Sequence, residues 1–179
     1  MQSRLVVLTG ASGGGKTTLA RAFEATRPDN TDVIFFDSVG VPSAEAMRAF
    51  GEGHQPGGAW QRAMTIRWMM KIAEFLRSGR SVLFEGQMRI AFVLEAFALA
   101  GISNARVILV DCNDTTRTTR LSKDRGQPEL ANAEMMGWAT YLREEATLAR
   151  CEILDTGDTG IEECVARLTF YLDDDGRGR

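Results

Sequence analysis

Residues 10–18 read GASGGGKTT, and their full match to G-x-x-x-x-G-K-[ST] decides the fold. The stretch before them, Leu5–Thr9 (LVVLT), is a short apolar, β-branched run of the kind that forms a buried strand. The stretch after them, Thr17–Thr26, is expected to be a helix that stops near Pro28. A glycine-rich turn between strand and helix lets main-chain amides wrap a phosphate, and the helix N-terminus adds partial positive charge. Gly10, Ser12, Gly13, Gly14, Gly15, Lys16, Thr17 and Thr18 are therefore the expected nucleotide-binding positions. Lys16 is expected to reach the β- and γ-phosphates, and Thr17 to ligate Mg²⁺.

Outward from this loop, strand and helix signals alternate to the end of the chain. Strands are expected at 33–36, 81–84, 106–110 and 151–154, and helices at 42–50, 60–77, 90–100, 115–123, 134–150 and 161–172. Each strand is a continuous apolar run, which strands buried on both faces require. The expectation is a three-layer α/β domain spanning 1–179, with a five-stranded, mainly parallel sheet and helices on both faces. In the 60–77 helix, Trp60, Ala63, Ile66, Met70 and Ala73 define an apolar face. The 90–100 helix is apolar nearly all round and reads as buried, with Gly101 as its C-cap. Asn113 or Asp114 is placed to cap the helix that follows the fourth strand. GEGHQPGG at 51–58 is a loop by composition, and its His54 reads as a solvated or lid residue rather than a catalyst.

A net charge of −3 argues against wholesale duplex nucleic-acid binding, which needs a basic stripe. Three scattered cysteines without CxxC read as reduced thiols of a cytoplasmic protein. The N-terminal segment does not read as a signal peptide, and no apolar run approaches a membrane span.

In an open parallel sheet, ligands gather at the carboxyl ends of the strands, so polar residues there become the candidates. Asp37, closing the second strand, is placed to act as general base or substrate anchor, or else to cap a turn. Glu85, closing the third, is a candidate for Mg²⁺ support or else for pairing with a nearby basic residue, and Arg89 for clamping an anionic group on an acceptor, or else it is a solvent-facing helix residue. Arg117, Arg120 and Arg125 can flatten against a nucleobase or neutralise a transferring phosphoryl group, or form a solvated basic face; Arg143 is a weaker candidate. The segment 155–159, with Thr156, can line a base pocket or simply connect to the last helix.

Together these features resemble the P-loop kinases of the nucleoside-monophosphate-kinase and small-molecule-kinase group, which includes shikimate kinase, gluconate kinase, adenylate kinase and chloramphenicol phosphotransferase. EGQMR at 85–89 resembles the DGxPR segment of adenylate kinases, with Glu for Asp and Met for Pro. VDCNDTTRTTRL and RGQPEL resemble the lid region, and IFFDS the segment that supplies a catalytic Asp. LDTGDTGIEECVARL resembles the last strand and helix, whose loop touches adenine. The resemblance implies ATP and Mg²⁺, a lid at about 117–132, and an acceptor-binding region at about 37–80. It implies Asp37 as base or anchor, Arg120 as an adenine-stacking residue and Arg125 as a mobile lid arginine, with Lys16 beside them in the catalytic set. The expected activity is transfer of the γ-phosphoryl group to a hydroxyl of a small metabolite or antibiotic, by a monomer or homodimer. The alternatives are a kinase of nucleoside monophosphates or nucleic-acid 5′ ends, and a nucleotide-dependent switch without transfer.

Overall fold

The structure is a computed structural model and describes residues 3–39 and 57–173. The helix expected at 42–50, most of the 51–58 loop and His54 lie outside the described residues. The described elements are β1 (Leu5–Thr9), α1 (Lys16–Thr26), β2 (Thr31–Phe35), a 3₁₀ turn (Phe36–Val39), α2 (Ala59–Arg77), β3 (Ser81–Glu85), α3 (Ile90–Ala100), β4 (Ala105–Asp111), α4 (Asp114–Thr119), a π turn (Arg120–Asp124), a 3₁₀ turn (Pro128–Leu130), α5 (Ala133–Leu148), β5 (Glu152–Asp155) and α6 (Ile161–Asp173).

The five strands are all parallel, in the order β2-β3-β1-β4-β5. Side chains of a strand point to alternate faces, so each strand feeds two cores. Leu5 and Val7 of β1, Val82 and Phe84 of β3, and Val107 and Leu109 of β4 join the core under α2, α3 and α5. Val6, Leu8, Leu83, Ile108 and Val110 join the opposite core under α1 and α6. The central strand β1 is thereby buried on both faces, and the loop that leaves its carboxyl end is held by the whole sheet.

Two helix readings need correction. In α2 the buried residues are Gln61, Thr65, Trp68, Met69, Ile72 and Ala73, while Met70 is half exposed. The buried face is thus rotated from the one hydrophobicity alone selects. It carries two polar residues because they are bonded inside: the Thr65 hydroxyl donates to the Gln61 carbonyl at 2.8 Å, and Gln61 braces the turn after β3. In α3, Leu94 and Leu99 are exposed, so the helix is an outer-layer element with one buried side. The capping expectations hold. Asn113 accepts from the Thr116 N–H at 2.8 Å, and Gly101 adopts φ 67° at the end of α3.

Candidate active site

Gly10, Gly13 and Gly15 all have positive φ (151°, 77° and 93°). A Cβ on Gly10 would stand 2.2 Å from the Val110 carbonyl oxygen, so β4 leaves no room for any side chain there. The loop turns on Gly14, whose N–H donates to Ala11 O at 3.2 Å, and α1 begins at Lys16. Lys16 is buried, and its ammonium donates to Ala11 O at 3.1 Å. Burial lowers its pKa to about 8, against the opposing pull of the Glu85 charge.

Glu85 lies beside Leu8 and Phe35 in the strand register, at the edge from which the loop springs. It is buried and accepts from the Thr17 hydroxyl at 3.2 Å. Burial raises its pKa, partly offset by Lys16 and the Thr17 hydrogen bond. A buried carboxylate against the loop's threonine is a donor set suited to a hard cation that keeps most of its water. Among the described residues no group of three or more His, Cys, Asp or Glu gathers that could hold a metal ion.

Beside the loop opens a cavity of about 650 Å³. Lys16, Thr17, Thr18, Arg120, Arg125 and Thr156 all border it, and Ile161 and Cys164 supply apolar wall. Arg120 donates to the Thr156 hydroxyl at 2.7 Å and the Thr156 carbonyl at 2.8 Å, while that hydroxyl bonds Gly14 O at 2.8 Å. The β5 loop is so fastened to the phosphate loop by one threonine. The π turn is closed by Arg125 N–H donating to Arg120 O at 3.0 Å. This extra residue per turn brings Arg120, Asp124 and Arg125 to the same cavity, where an uninterrupted α-helix had been expected.

Arg117 is elsewhere. It is fully buried beneath the loop, donating to Ser12 O at 2.8 Å and to Cys112 O at 3.3 Å, and pairing with Asp111. Neither the nucleobase contact nor the solvated face read from the sequence describes it: a Cβ on Gly13 would meet its Cγ at 3.0 Å. Arg143 also serves Asp111, at 2.8 Å.

Asp37 is exposed in the turn after β2, and its neighbour Phe36 explains its location. Phe36 is buried against Trp60 and Phe84, and its carbonyl accepts from the Trp68 indole at 3.2 Å. Gly86 is required under it, because a Cβ there would lie 2.5 Å from the Phe36 Cβ.

The segment 85–89 is braced from three directions. Thr9 bonds both N–H and C=O of Met88, Gln61 bonds Gln87 O and Arg89 N, and Glu145 accepts from Ile90 N at 2.7 Å. Arg89 pairs with Glu145 at 3.3 Å and lies between the Phe92 and Tyr141 rings, 4.9 and 5.0 Å from their centroids; its Nε is buried without a partner. Gln87 accepts from the Ser12 hydroxyl at 3.3 Å and borders a second recess of about 410 Å³. The sequence reading missed Gln61, Gln87, Asp111 and Glu145. Spacing carries little trace of them, because the bonds that place them at the site mostly reach partners 26 to 75 residues away, as from Gln61 to Gln87 O and from Gln87 to Ser12.

No protein-family model matches the sequence, and no curated protein matches it. Solved structures do match its fold. A sugar kinase from a Janibacter species aligns with TM-score 0.66 and 20% identity, over 96% of this chain and 95% of that one. The shikimate kinase of Acinetobacter baumannii, in complex with shikimate, aligns with TM-score 0.63 and 15% identity over 99% and 96%. The thymidylate kinase of Candida albicans aligns with TM-score 0.60 and 12% identity over 98% and 93%. The chain has the fold of the P-loop small-molecule kinases, a five-stranded parallel sheet with helices on both faces. No helix among the described residues is long and apolar enough to cross a membrane.

Proposed function

We propose that this chain is an ATP-dependent phosphotransferase that moves the γ-phosphoryl group to a hydroxyl of a small molecule. The observation that carries the reading is the meeting of Lys16, Thr17 and Glu85 in a glycine cradle at the mouth of a nucleoside-sized cavity. Likeness to kinases whose names specify shikimate and sugar supports a hydroxyl acceptor.

The loop amides and Lys16 hold the β- and γ-phosphates, and the Arg120 guanidinium, its edge fixed by Thr156, offers a flat cationic wall to the base. Thr17 and Glu85 would hold Mg²⁺, which would supply charge neutralisation at the phosphates. Asp37 orients the acceptor and takes its hydroxyl proton. The new bond forms between acceptor oxygen and γ-phosphorus, the bond to the β–γ bridging oxygen breaks, and ADP leaves. Arg125 closes over the transferring group and excludes water, which would otherwise divert the reaction to hydrolysis.

The test is ADP release from Mg·ATP across a panel of sugars, hydroxy acids, aryl alcohols and nucleoside monophosphates. The proposal expects at least one unphosphorylated alcohol to stimulate release well above the acceptor-free rate. Stimulation by nucleoside monophosphates alone would replace it with nucleotide kinase activity, and a slow rate that nothing stimulates would replace it with a switch.

A further inference from the structure

The second recess shares no lining residue with the cavity beside the phosphate loop. It adjoins that loop through Gln87, whose side-chain oxygen accepts from the Ser12 hydroxyl at 3.3 Å. At about 410 Å³ it falls in the size range of small-molecule sites. Its wall is made by α5. Trp138 and Tyr141 stack with centroids 5.4 Å apart and planes 11° from parallel, and Met135 and Leu130 flank them. Aromatic faces and a pliable thioether bind flat apolar rings well and hydrated polyols poorly.

Charge points the same way. Among the described residues lining the recess the one charged side chain is Glu134, which repels an anion. Arg89, the nearby cation that could grip a phosphate on an acceptor, pairs through Nη2 with Glu145 and lies between the rings of Phe92 and Tyr141, and its unpartnered Nε is buried. Drawing it away would strand the largely buried Glu145 carboxylate without its cation, while that carboxylate also holds Ile90 N.

We propose that the acceptor is an alcohol bearing a flat apolar ring and no phosphate, its ring seated in the recess against Trp138 and Met135 and its hydroxyl directed past Gln87 to the phosphate loop. This rests on the phosphotransferase reading above. The step is unchanged: the hydroxyl oxygen joins the γ-phosphorus, its proton passes to Asp37, and ADP departs.

The test pairs transfer with binding on the full chain. ADP release is compared for 2-phenylethanol and phenylpropanediols, for glucose and gluconate, and for AMP and dTMP. Binding of 2-phenylethanol is followed by saturation-transfer NMR in the wild type, Trp138→Ala and Met135→Glu. The second variant puts a charge into the recess at a half-buried position, should the first not fold. The expected result is at least tenfold greater kcat/KM for the aryl alcohols. Either variant should raise the aryl acceptor's KM about tenfold, weaken 2-phenylethanol binding and leave the KM for ATP within twofold. Preference for sugars or nucleoside monophosphates, with ATP turnover intact, would overturn the ring proposal and leave the kinase reading standing. Failure of the wild type to bind Mg·ATP would overturn both.

Discussion

The proposed nucleotide side of the cleft and the proposed acceptor side are built from different materials. On the proposed nucleotide side the phosphate loop itself is a main-chain turn at the start of α1, fastened to the β5 loop through Thr156, while Lys16, Arg120 and Arg125 line the cavity beyond it. On the proposed acceptor side the recess is walled by side chains of Gln87, Leu130, Asn132 and α5, and Gln61, Thr9 and Glu145 brace the main chain of the turn that carries Gln87. Main chain can hold a triphosphate in any member of a fold, whereas side-chain walls can be exchanged without disturbing the sheet. The contrast implies that damage to the first side abolishes chemistry on every acceptor, and damage to the second changes which acceptor is used.

The largest effect should come from Lys16→Met, which removes the buried ammonium beside the phosphates. We expect kcat/KM to fall on the order of 10³-fold for whichever acceptor is used, measured as ADP release. Next, Arg117→Ala should destabilise the fold by about 3 kcal/mol in urea denaturation, because it leaves Asp111 with only the half-exposed Arg143 and frees Ser12 O beneath the loop. Asp37→Asn should lower kcat about 10²-fold while the KM for ATP stays within twofold; equal losses in both would make Asp37 part of nucleotide binding and blur the division. Arg89→Ala should cost an alcohol acceptor little beyond stability, whereas collapse of activity confined to nucleoside monophosphates would move the acceptor side into nucleotide recognition.

The smallest effect is a pH dependence. The Lys16 pKa sits below the usual lysine value, near 8, so the free protein loses this charge as pH rises through 8. Bound phosphates would favour the charged form. ATP should therefore bind about tenfold more weakly at pH 9 than at pH 7, with proton uptake on binding, and Lys16→Met should flatten the profile.

The same contrast explains what the sequence made legible. The glycine loop, the strand before it and the helix after it are contiguous, so residues 5–26 could be read locally. Asp37 and Glu85 could be picked out as candidates because ligands gather at the strand ends of a parallel sheet. The buried side of α2 was misread because Gln61 and Thr65 are polar: Thr65 is satisfied by the Gln61 carbonyl one turn back, and Gln61 by Gln87 and Arg89, which local sequence does not reveal. Arg117 and Arg120 share one helix face in sequence, yet one lies under the loop and the other lines the cavity. The partners decide this, Asp111 and Ser12 O for Arg117 and Thr156 for Arg120, and the π turn that begins at Arg120 has no local residue pattern to announce it.

The most direct test of the account is calorimetric titration of Mg·ATP into the wild-type chain and into Lys16→Met, at pH 7. The account predicts one site with micromolar affinity in the wild type and loss of most of that binding in the variant. Wild-type protein that takes up neither ATP nor GTP, in the presence of magnesium, would contradict it.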